Sequence, residues 1–146
     1  MGGIWVYKAA KGLYEDNEVY SNRKASLRVW DFGSPVVKHN KFHSGKTLGL
    51  LIYEFGKGVY KDNDIYDHGD WNVEVKRHAL PYFEGNRISG GGMGGVYVHG
   101  GGGIPGTGYK SDGFTNRDTE LTQFTLEVRV PSLAGDTVPN SPSLAT

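Results

Sequence analysis

An internal repeat with an offset of 46 residues is the feature that most restricts how this chain can fold. The segment KGLYEDNEVY at residues 11–20 aligns with KGVYKDNDIY at residues 57–66, and six of the ten positions are identical. The same offset continues on both sides of this segment and aligns Pro35 with Pro81. Repeats of this length are typical of folds that are built from stacked or symmetry-related units.

A third, less regular copy follows the first two. Val96-Tyr-Val98 corresponds to its first strand, Tyr109-Lys-Ser-Asp112 to the repeated turn, and Phe124-Thr-Leu-Glu-Val-Arg-Val130 to a later strand. This copy requires extra residues before the turn and again before Phe124. The sequence therefore leaves two copies and three copies as alternatives.

The local hydrophobic pattern predicts β-strands throughout. Between Phe124 and Val130, apolar residues alternate with polar ones, which is the period of a half-buried strand. Shorter stretches at residues 26–29 and 72–75 repeat the pattern. We therefore predict a single all-β domain over residues 1–131, built from two or three repeats of ~46 residues. Three copies favour a β-prism or β-trefoil, and two copies favour a β-sandwich.

Composition excludes several classes of partner. Lys and Arg together number 16, as do Asp and Glu, so the chain lacks the basic excess typical of proteins that bind nucleic acid. It has no cysteine, which excludes disulfides and thiolate chemistry. No apolar run has the length of a signal peptide or a membrane span. We expect no nucleic-acid partner and no membrane insertion, and the localisation stays unknown, compatible with a virion or the cytoplasm.

Glycine is concentrated in residues 90–108, where it occupies eleven positions. The stretch GGGGIPGTGYKS at residues 100–111 is similar to a phosphate-binding loop, but Lys110 comes one residue late and turn-forming residues follow it instead of a helix. The sequence therefore predicts an enlarged Gly-rich loop. Residues 132–146 have the composition of a linker and are predicted to form an extended C-terminal arm.

The repeated Tyr-x-Asp-Asn turn is the candidate ligand site. A tyrosine ring can stack on the apolar side of a sugar, while Asp and Asn can bind sugar hydroxyls. The same residue types also suit a purely structural turn, so both interpretations stay open. The candidate glycan-binding residues are Tyr14, Asp16, Asn17, Tyr60, Asp62, Asn63, Tyr109 and Asp112.

No cofactor is predicted, and the only metal candidate is weak. The segment KDNDIYDHGD contains Asp62, Asp64, Asp67 and Asp70, a density of oxygen ligands that suits calcium. The spacing differs from that of an EF-hand loop, because Tyr66 stands where a ligand should be.

No catalytic motif stands out, and the sequence predicts a non-catalytic protein. The first hypothesis is a structural or surface subunit of a larger assembly, either a phage or virus particle or an extracellular filament. Its partners would be copies of itself or neighbouring subunits, contacted through the C-terminal arm and the Gly-rich loop. The alternative is a repeat-built, lectin-like module that binds glycans at the Tyr-x-Asp-Asn turns.

Overall fold

The computed structural model describes residues 1–103, 115–116 and 124–126, and this part of the chain consists of β-strands joined by short turns. In chain order the strands are β1 Ile4–Val6, β2 Leu13–Glu15, β3 Glu18–Tyr20, β4 Leu27–Val29, β5 Val36–Lys38, β6 Lys41–His43, β7 Leu50–Ile52, β8 Val59–Lys61, β9 Asp64–Tyr66, β10 Trp71–Val75, β11 Tyr82–Glu84, β12 Asn86–Ser89, β13 Gly94–Val98, β14 Thr115–Asn116 and β15 Phe124–Leu126.

The strands stack into three sheets along one axis. The first sheet has the order β1-β4-β7-β10-β13-β14, the second β11-β8-β5-β2, and the third β15-β12-β9-β6-β3. Strands β1 to β13 pair in parallel with the equivalent strand of the next coil, as Ile4 does with Leu27 and Leu27 with Leu50. Equivalent residues are 23 positions apart, as in the bond from Asn40 to Asn63. The described chain therefore forms four coils and the first strand of a fifth.

This topology corrects the predicted fold. The all-β prediction is confirmed, but the β-sandwich, β-prism and β-trefoil predictions are wrong. Those folds are built from antiparallel pairs, whereas the coils here wind a parallel β-solenoid around a single interior. The antiparallel pairs among the described strands are β14 with β13 and β15 with β12.

The 46-residue repeat corresponds to two coils rather than to one structural unit. At one corner the successive coils place Gly12, Pro35, Gly58 and Pro81 at equivalent positions. A Cβ atom on Gly58 would lie 2.6 Å from the carbonyl oxygen of Pro35 and 2.9 Å from its Cδ. Because Pro35 leaves no room for a Cβ atom at Gly58 in the next coil, this corner alternates between glycine and proline over residues 12–81.

The third copy is confirmed only in its first strand. Residues 96–98 lie in β13, the fifth rung of the first sheet. Residues 124–126 form β15 as an antiparallel partner of β12, so they do not continue the winding of the coils. The predicted turn at residues 109–112 lies outside the described residues, as do the Gly-rich residues 104–108 and the arm at 132–146.

The core is formed by the inward-facing side chains of all three sheets. From the second rung onward the first sheet buries two core residues per rung, and the second and third sheets bury one. Each such aliphatic or aromatic side chain contributes about 1.5–3 kcal/mol when it is withdrawn from water. The fully enclosed aliphatic and aromatic strand residues are Val6, Leu27, Val29, Val37, Phe42, Leu50, Ile52, Tyr60, Ile65, Val73, Val75, Phe83, Ile88, Val96 and Val98.

A column of asparagines fixes the corner between the second and third sheets. Asn17, Asn40, Asn63 and Asn86 occupy equivalent positions in successive coils. The Oδ1 of Asn63 accepts from the backbone N–H and from Nδ2 of Asn40, both at 3.0 Å. Its Nδ2 donates to the carbonyl of Val37 and to Asn86 Oδ1, both at 2.9 Å. The column thus satisfies buried polar groups that a tight turn would otherwise leave unpaired.

The residue before each asparagine has a left-handed backbone. The φ angles are 60° at Asp16, 56° at His39, 54° at Asp62 and 67° at Gly85. Asp and Gly adopt this conformation more readily than other residues. The Asp-Asn pair in the repeated motif is thus the sequence that turns the chain at this corner.

Candidate binding surface on the first sheet

The outer face of the first sheet carries aromatic and charged side chains in close rows. In each rung the penultimate strand residue and the residue just after the strand point away from the core, while their neighbours point inward. Successive rungs are about 4.8 Å apart, so these side chains form a continuous surface. We call the following ten residues the sheet-one surface: Trp5, Tyr7, Arg28, Trp30, Leu51, Tyr53, Glu74, Lys76, Tyr97 and His99.

Aromatic rings dominate the first three rungs of this surface. Tyr7 stacks on Trp30 with ring centroids 4.6 Å apart, and Trp30 stacks on Tyr53 at 5.7 Å. Trp5 meets Trp30 edge-on at 6.2 Å, with the ring planes at 73°. Trp5 is 50% exposed and Tyr7 41% exposed. The stacking holds the rings in fixed positions and leaves an apolar surface open to solvent.

Arg28 lies in the middle of these rings. Its guanidinium carbon is 5.5 Å from the ring centroid of Trp5, 5.2 Å from that of Trp30 and 5.6 Å from that of Tyr53. Its Nη2 donates to the hydroxyl of Tyr53 at 2.7 Å. These contacts orient the cation on the surface through cation–π attraction and one hydrogen bond.

A carboxylate with two basic neighbours occupies the last two rungs. His99 Nε2 lies 2.6 Å from Glu74 Oε2, and Lys76 Nζ lies 3.6 Å from the same oxygen. The His99 ring stacks on Tyr97 at 3.9 Å. The sheet-one surface therefore combines apolar rings with hydrogen-bond donors and acceptors of both charge signs.

The predicted turn residues are separated by the fold into buried and exposed groups. Tyr60 is fully buried, its ring packs on Phe83 at 5.0 Å, and its hydroxyl donates to the carbonyl of Lys57. Burial raises the pKa of Tyr60 well above its usual value. Asn63 is buried in the asparagine column, and Tyr14 is half-buried against the core. These three side chains serve the interior and the turn.

Other members of that predicted set face solvent. Asp16, Asn17 and Asp62 are exposed at the corner between the second and third sheets. The exposed His39 has its Nε2 3.5 Å from Asp62 Oδ2. Tyr109 and Asp112 lie outside the described residues. The structure thus does not assemble the turn residues into one site, and glycan binding at the exposed carboxylates stays a prediction.

The four aspartates of the calcium candidate lie along successive turns. Asp62 and Asp67 are corner residues with left-handed backbones, and Asp64 begins β9. Asp70 Oδ1 accepts from the backbone N–H of Trp71 at 2.8 Å. Within the described ranges, no three or more His, Asp or Glu side chains are grouped as metal ligands.

The described glycines of the Gly-rich segment lie in the stacked coils. A Cβ atom on Gly91 would collide with the carbonyl of Gly94, and one on Gly92 with the carbonyl of Gly69. These positions require glycine because backbone packs directly on backbone. Gly100 and Gly101 form the corner after β13 with left-handed backbones.

A buried polar network links three coils at the corner between the third and first sheets. His68 Nδ1 donates to Asn72 Oδ1 at 2.9 Å, and Ser26 Oγ lies 3.2 Å from His68 Nε2. The ring is accommodated above Gly45 and Gly49, where a Cβ atom would lie 2.8 and 2.9 Å from it. Burial lowers the pKa of His68, while its bond to Asn72 acts in the opposite direction. The enclosure of all three polar residues indicates a structural role.

We expect this histidine to make stability depend on pH. The unfolded chain binds a proton at His68 near pH 6.5, whereas the folded chain binds it only at lower pH. Stability is therefore fully present above about pH 6.5 and falls as the pH drops toward the lowered folded value. Urea unfolding between pH 7.5 and pH 5 measures this slope. His68→Gln should reduce the slope, and the exposed His78→Gln should retain it; an unchanged slope in His68→Gln would contradict the assignment.

Three sheets of parallel strands from stacked coils, wound around one interior, define a β-helix. Residues 1–116 match the family described as right handed beta helix region, and the chain belongs to that family. No solved structure matches the chain. In the described ranges there is no helix with the length and hydropathy of a membrane span.

The sheet-one surface was missed at the sequence level. Its signal is a short pattern that recurs once per coil: an outward residue, a buried Val or Ile, and a second outward residue that is usually aromatic. Trp5-Val-Tyr7, Arg28-Val-Trp30 and Leu51-Ile-Tyr53 are its first three occurrences. Alignment at an offset of 46 residues compares each coil with the coil two turns away. It therefore does not show that Arg28 lies beside aromatic residues of the coils directly before and after its own.

Proposed function

We propose that this chain is a glycan-binding β-helix that holds its ligand on the sheet-one surface. The observation that carries the proposal is the half-exposed Trp5 beside the fixed cation of Arg28. Apolar surface with a few positioned polar groups is the usual composition of a small-molecule site. An extended oligosaccharide suits a flat sheet, since its hydroxyls can meet donors and acceptors in successive rungs.

The polar rungs supply the complementary groups. Glu74 Oε2 is engaged by His99 and Lys76, which holds its carboxylate in place among the neighbouring side chains. Tyr53 contributes a hydroxyl that is already bonded to Arg28. A sugar bound over these rungs would find donors at Lys76 and Arg28 without large rearrangement, while the buried Glu74 holds Lys76 and His99 in position.

Replacement of the exposed indole tests the proposal. We expect Trp5→Ala to weaken glycan binding about 10-fold, because one well-packed aromatic contact is worth roughly 1.4 kcal/mol. A glycan array identifies the ligand, and isothermal titration calorimetry gives the affinities. Phe32→Ala is the matched control, since Phe32 is 52% exposed but lies at a corner outside the sheet-one surface. Equal losses in both variants, or none in Trp5→Ala, would contradict the proposed location.

The hypothesis of a structural subunit stays a prediction. It depends on the arm at residues 132–146, which lies outside the described residues, and on the Gly-rich loop, which does so in part. The absence of catalysis likewise stays a prediction. Light scattering on the full chain and on a chain ending at residue 131 measures the oligomeric state, and assembly lost with the arm would support the subunit hypothesis.

A further inference from the structure

The outer face of the third sheet carries a column of charged side chains whose sign alternates from coil to coil. In each rung the charged residue points away from the core and the residue after it points inward. Parallel pairing holds the four charged residues in direct register. In chain order this charge column consists of Glu18, Lys41, Asp64 and Arg87, of which Asp64 is half-buried and the others are exposed.

Stacking of the coils does not by itself require this order of charges. Opposite charges in neighbouring strands are more favourable than like charges. The second sheet nevertheless places Lys38 and Lys61 in register in adjacent rungs. In the described part of the chain, Lys41 forms no ion pair with Glu18 or Asp64, its neighbours in the column. The alternation is therefore not used for direct pairing of Lys41 within the chain.

The alternation makes the charge column complementary to itself when its direction is reversed. A two-fold axis parallel to the strands, between the second and third rungs, sets two third sheets face to face with their solenoid axes antiparallel. Glu18 then faces Arg87 of the second copy, and Lys41 faces Asp64 of the second copy. Because such an interface is isologous, each contact occurs twice and every contact joins opposite charges.

The second sheet does not have this property. Its outward column of Glu15, Lys38, Lys61 and Glu84 has the same order of signs in both directions. The same two-fold operation would oppose Glu15 to Glu84 and Lys38 to Lys61, which are pairs of like charge. Charge complementarity with a second copy of this chain is thus specific to the third sheet in this comparison, and the balanced charges of its column do not favour a strongly acidic or basic partner.

A second column on the same face supplies aromatic contact area. His43 stacks on Tyr20 with ring centroids 5.4 Å apart and on Tyr66 at 4.8 Å. Tyr20 is 57% exposed. The two-fold axis places His43 opposite Tyr66 of the second copy, so aromatic rings meet beside the charged contacts. Aromatic residues within a polar border are the usual composition of a protein–protein interface.

We propose that this chain forms an antiparallel dimer through the outer face of the third sheet. The contact area is small, because each of the four rungs contributes a strand of three or four residues. We therefore expect weak association, with a Kd on the order of 10–100 µM at low salt. The sheet-one surface lies on another sheet, so this inference is independent of the proposed glycan binding.

Sedimentation equilibrium of the full chain tests the dimer, and mixing two variants tests the contact. Dimerisation of the wild type should weaken as NaCl is raised. Lys41→Glu and Asp64→Lys should each weaken self-association about 100-fold, because each creates two like-charge contacts in the dimer. An equimolar mixture of the two variants should form a heterodimer within about fivefold of the wild-type affinity, since both contacts again join opposite charges.

Lys61→Glu is the matched control, because it makes the same change of charge on a strand of the second sheet. It should dimerise like the wild type, and thermal unfolding checks that the coils of every variant remain intact. A wild type that is monomeric at all concentrations would overturn the proposal. A dimer that persists in Lys41→Glu and Asp64→Lys would place the contact on another face. Folded variants that stay monomeric after mixing would show that Lys41 and Asp64 do not meet between copies.

Discussion

Insertion of a second copy of residues 34–79 after residue 79 is expected to give a folded chain with two additional coils. The inserted segment contains 46 residues, which is two turns of 23, so each new strand meets an equivalent strand on both sides. The glycine–proline alternation at residues 12, 35, 58 and 81 also continues without interruption. Because stability in stacked repeats grows with the number of interfaces, we expect the melting temperature to rise by about 5–10 °C.

Insertion of a single coil should have the opposite effect. A second copy of residues 34–56 placed after residue 56 adds 23 residues but sets two copies of Pro35 in adjacent coils. The equivalent glycine, Gly58, has φ of 113°, which proline cannot adopt, and a Cβ there would already collide with Pro35. We expect a loss of about 3 kcal/mol relative to the two-coil insertion. Circular dichroism and calorimetry on the two variants measure the difference, and equal stability would show that the alternation is incidental.

Asn63→Ala is expected to lower the free energy of unfolding by about 2–4 kcal/mol. The substitution removes two bonds that Asn63 Nδ2 donates and two that its Oδ1 accepts. It also leaves the backbone N–H of Asn40 and the carbonyl of Val37 inside the protein without those partners. These two unpaired groups account for the larger part of the expected loss in free energy of unfolding.

The matched control lies in the same column. Asn17 is exposed, and its side chain donates one bond, to Asn40 Oδ1 at 3.1 Å. We expect Asn17→Ala to change stability by less than about 1 kcal/mol. Urea denaturation followed by tryptophan fluorescence gives both values. Similar losses in the two variants would mean that the column contributes through turn propensity rather than through buried hydrogen bonds.

Strand content could be predicted from the sequence, but strand arrangement could not. Alternation at Val96-Tyr-Val98 correctly located β13, since inward and outward residues alternate in any strand. Three-residue strands such as β1 carry no sign of whether their partner runs parallel or antiparallel. The prediction of antiparallel folds followed from that ambiguity. The repeat found in the sequence is 46 residues long, twice the length of one coil. Gly58 and Pro35 occupy the same structural position in adjacent coils but differ for steric reasons, so adjacent coils look unlike each other in the sequence.

The candidate surface was missed for a related reason. Tyr60 and Asn63 drew attention because they recur, yet they recur as parts of the core and the turn. Arg28 occurs once, and its importance follows from three rings contributed by three different coils. Contacts of that kind depend on the 23-residue winding, which the sequence comparison at twice that distance does not display.

The asparagine column is also a line of aligned amide dipoles. From Asn40 to Asn86, each side-chain carbonyl points to the preceding coil and accepts its N–H groups, so the dipoles add along the axis of the solenoid. Neighbouring bonds in such a line polarise one another, and each becomes stronger when the next is present. The loss of one amide therefore weakens bonds in coils that it does not touch, and two substitutions in the column should be less damaging together than the sum of their separate effects.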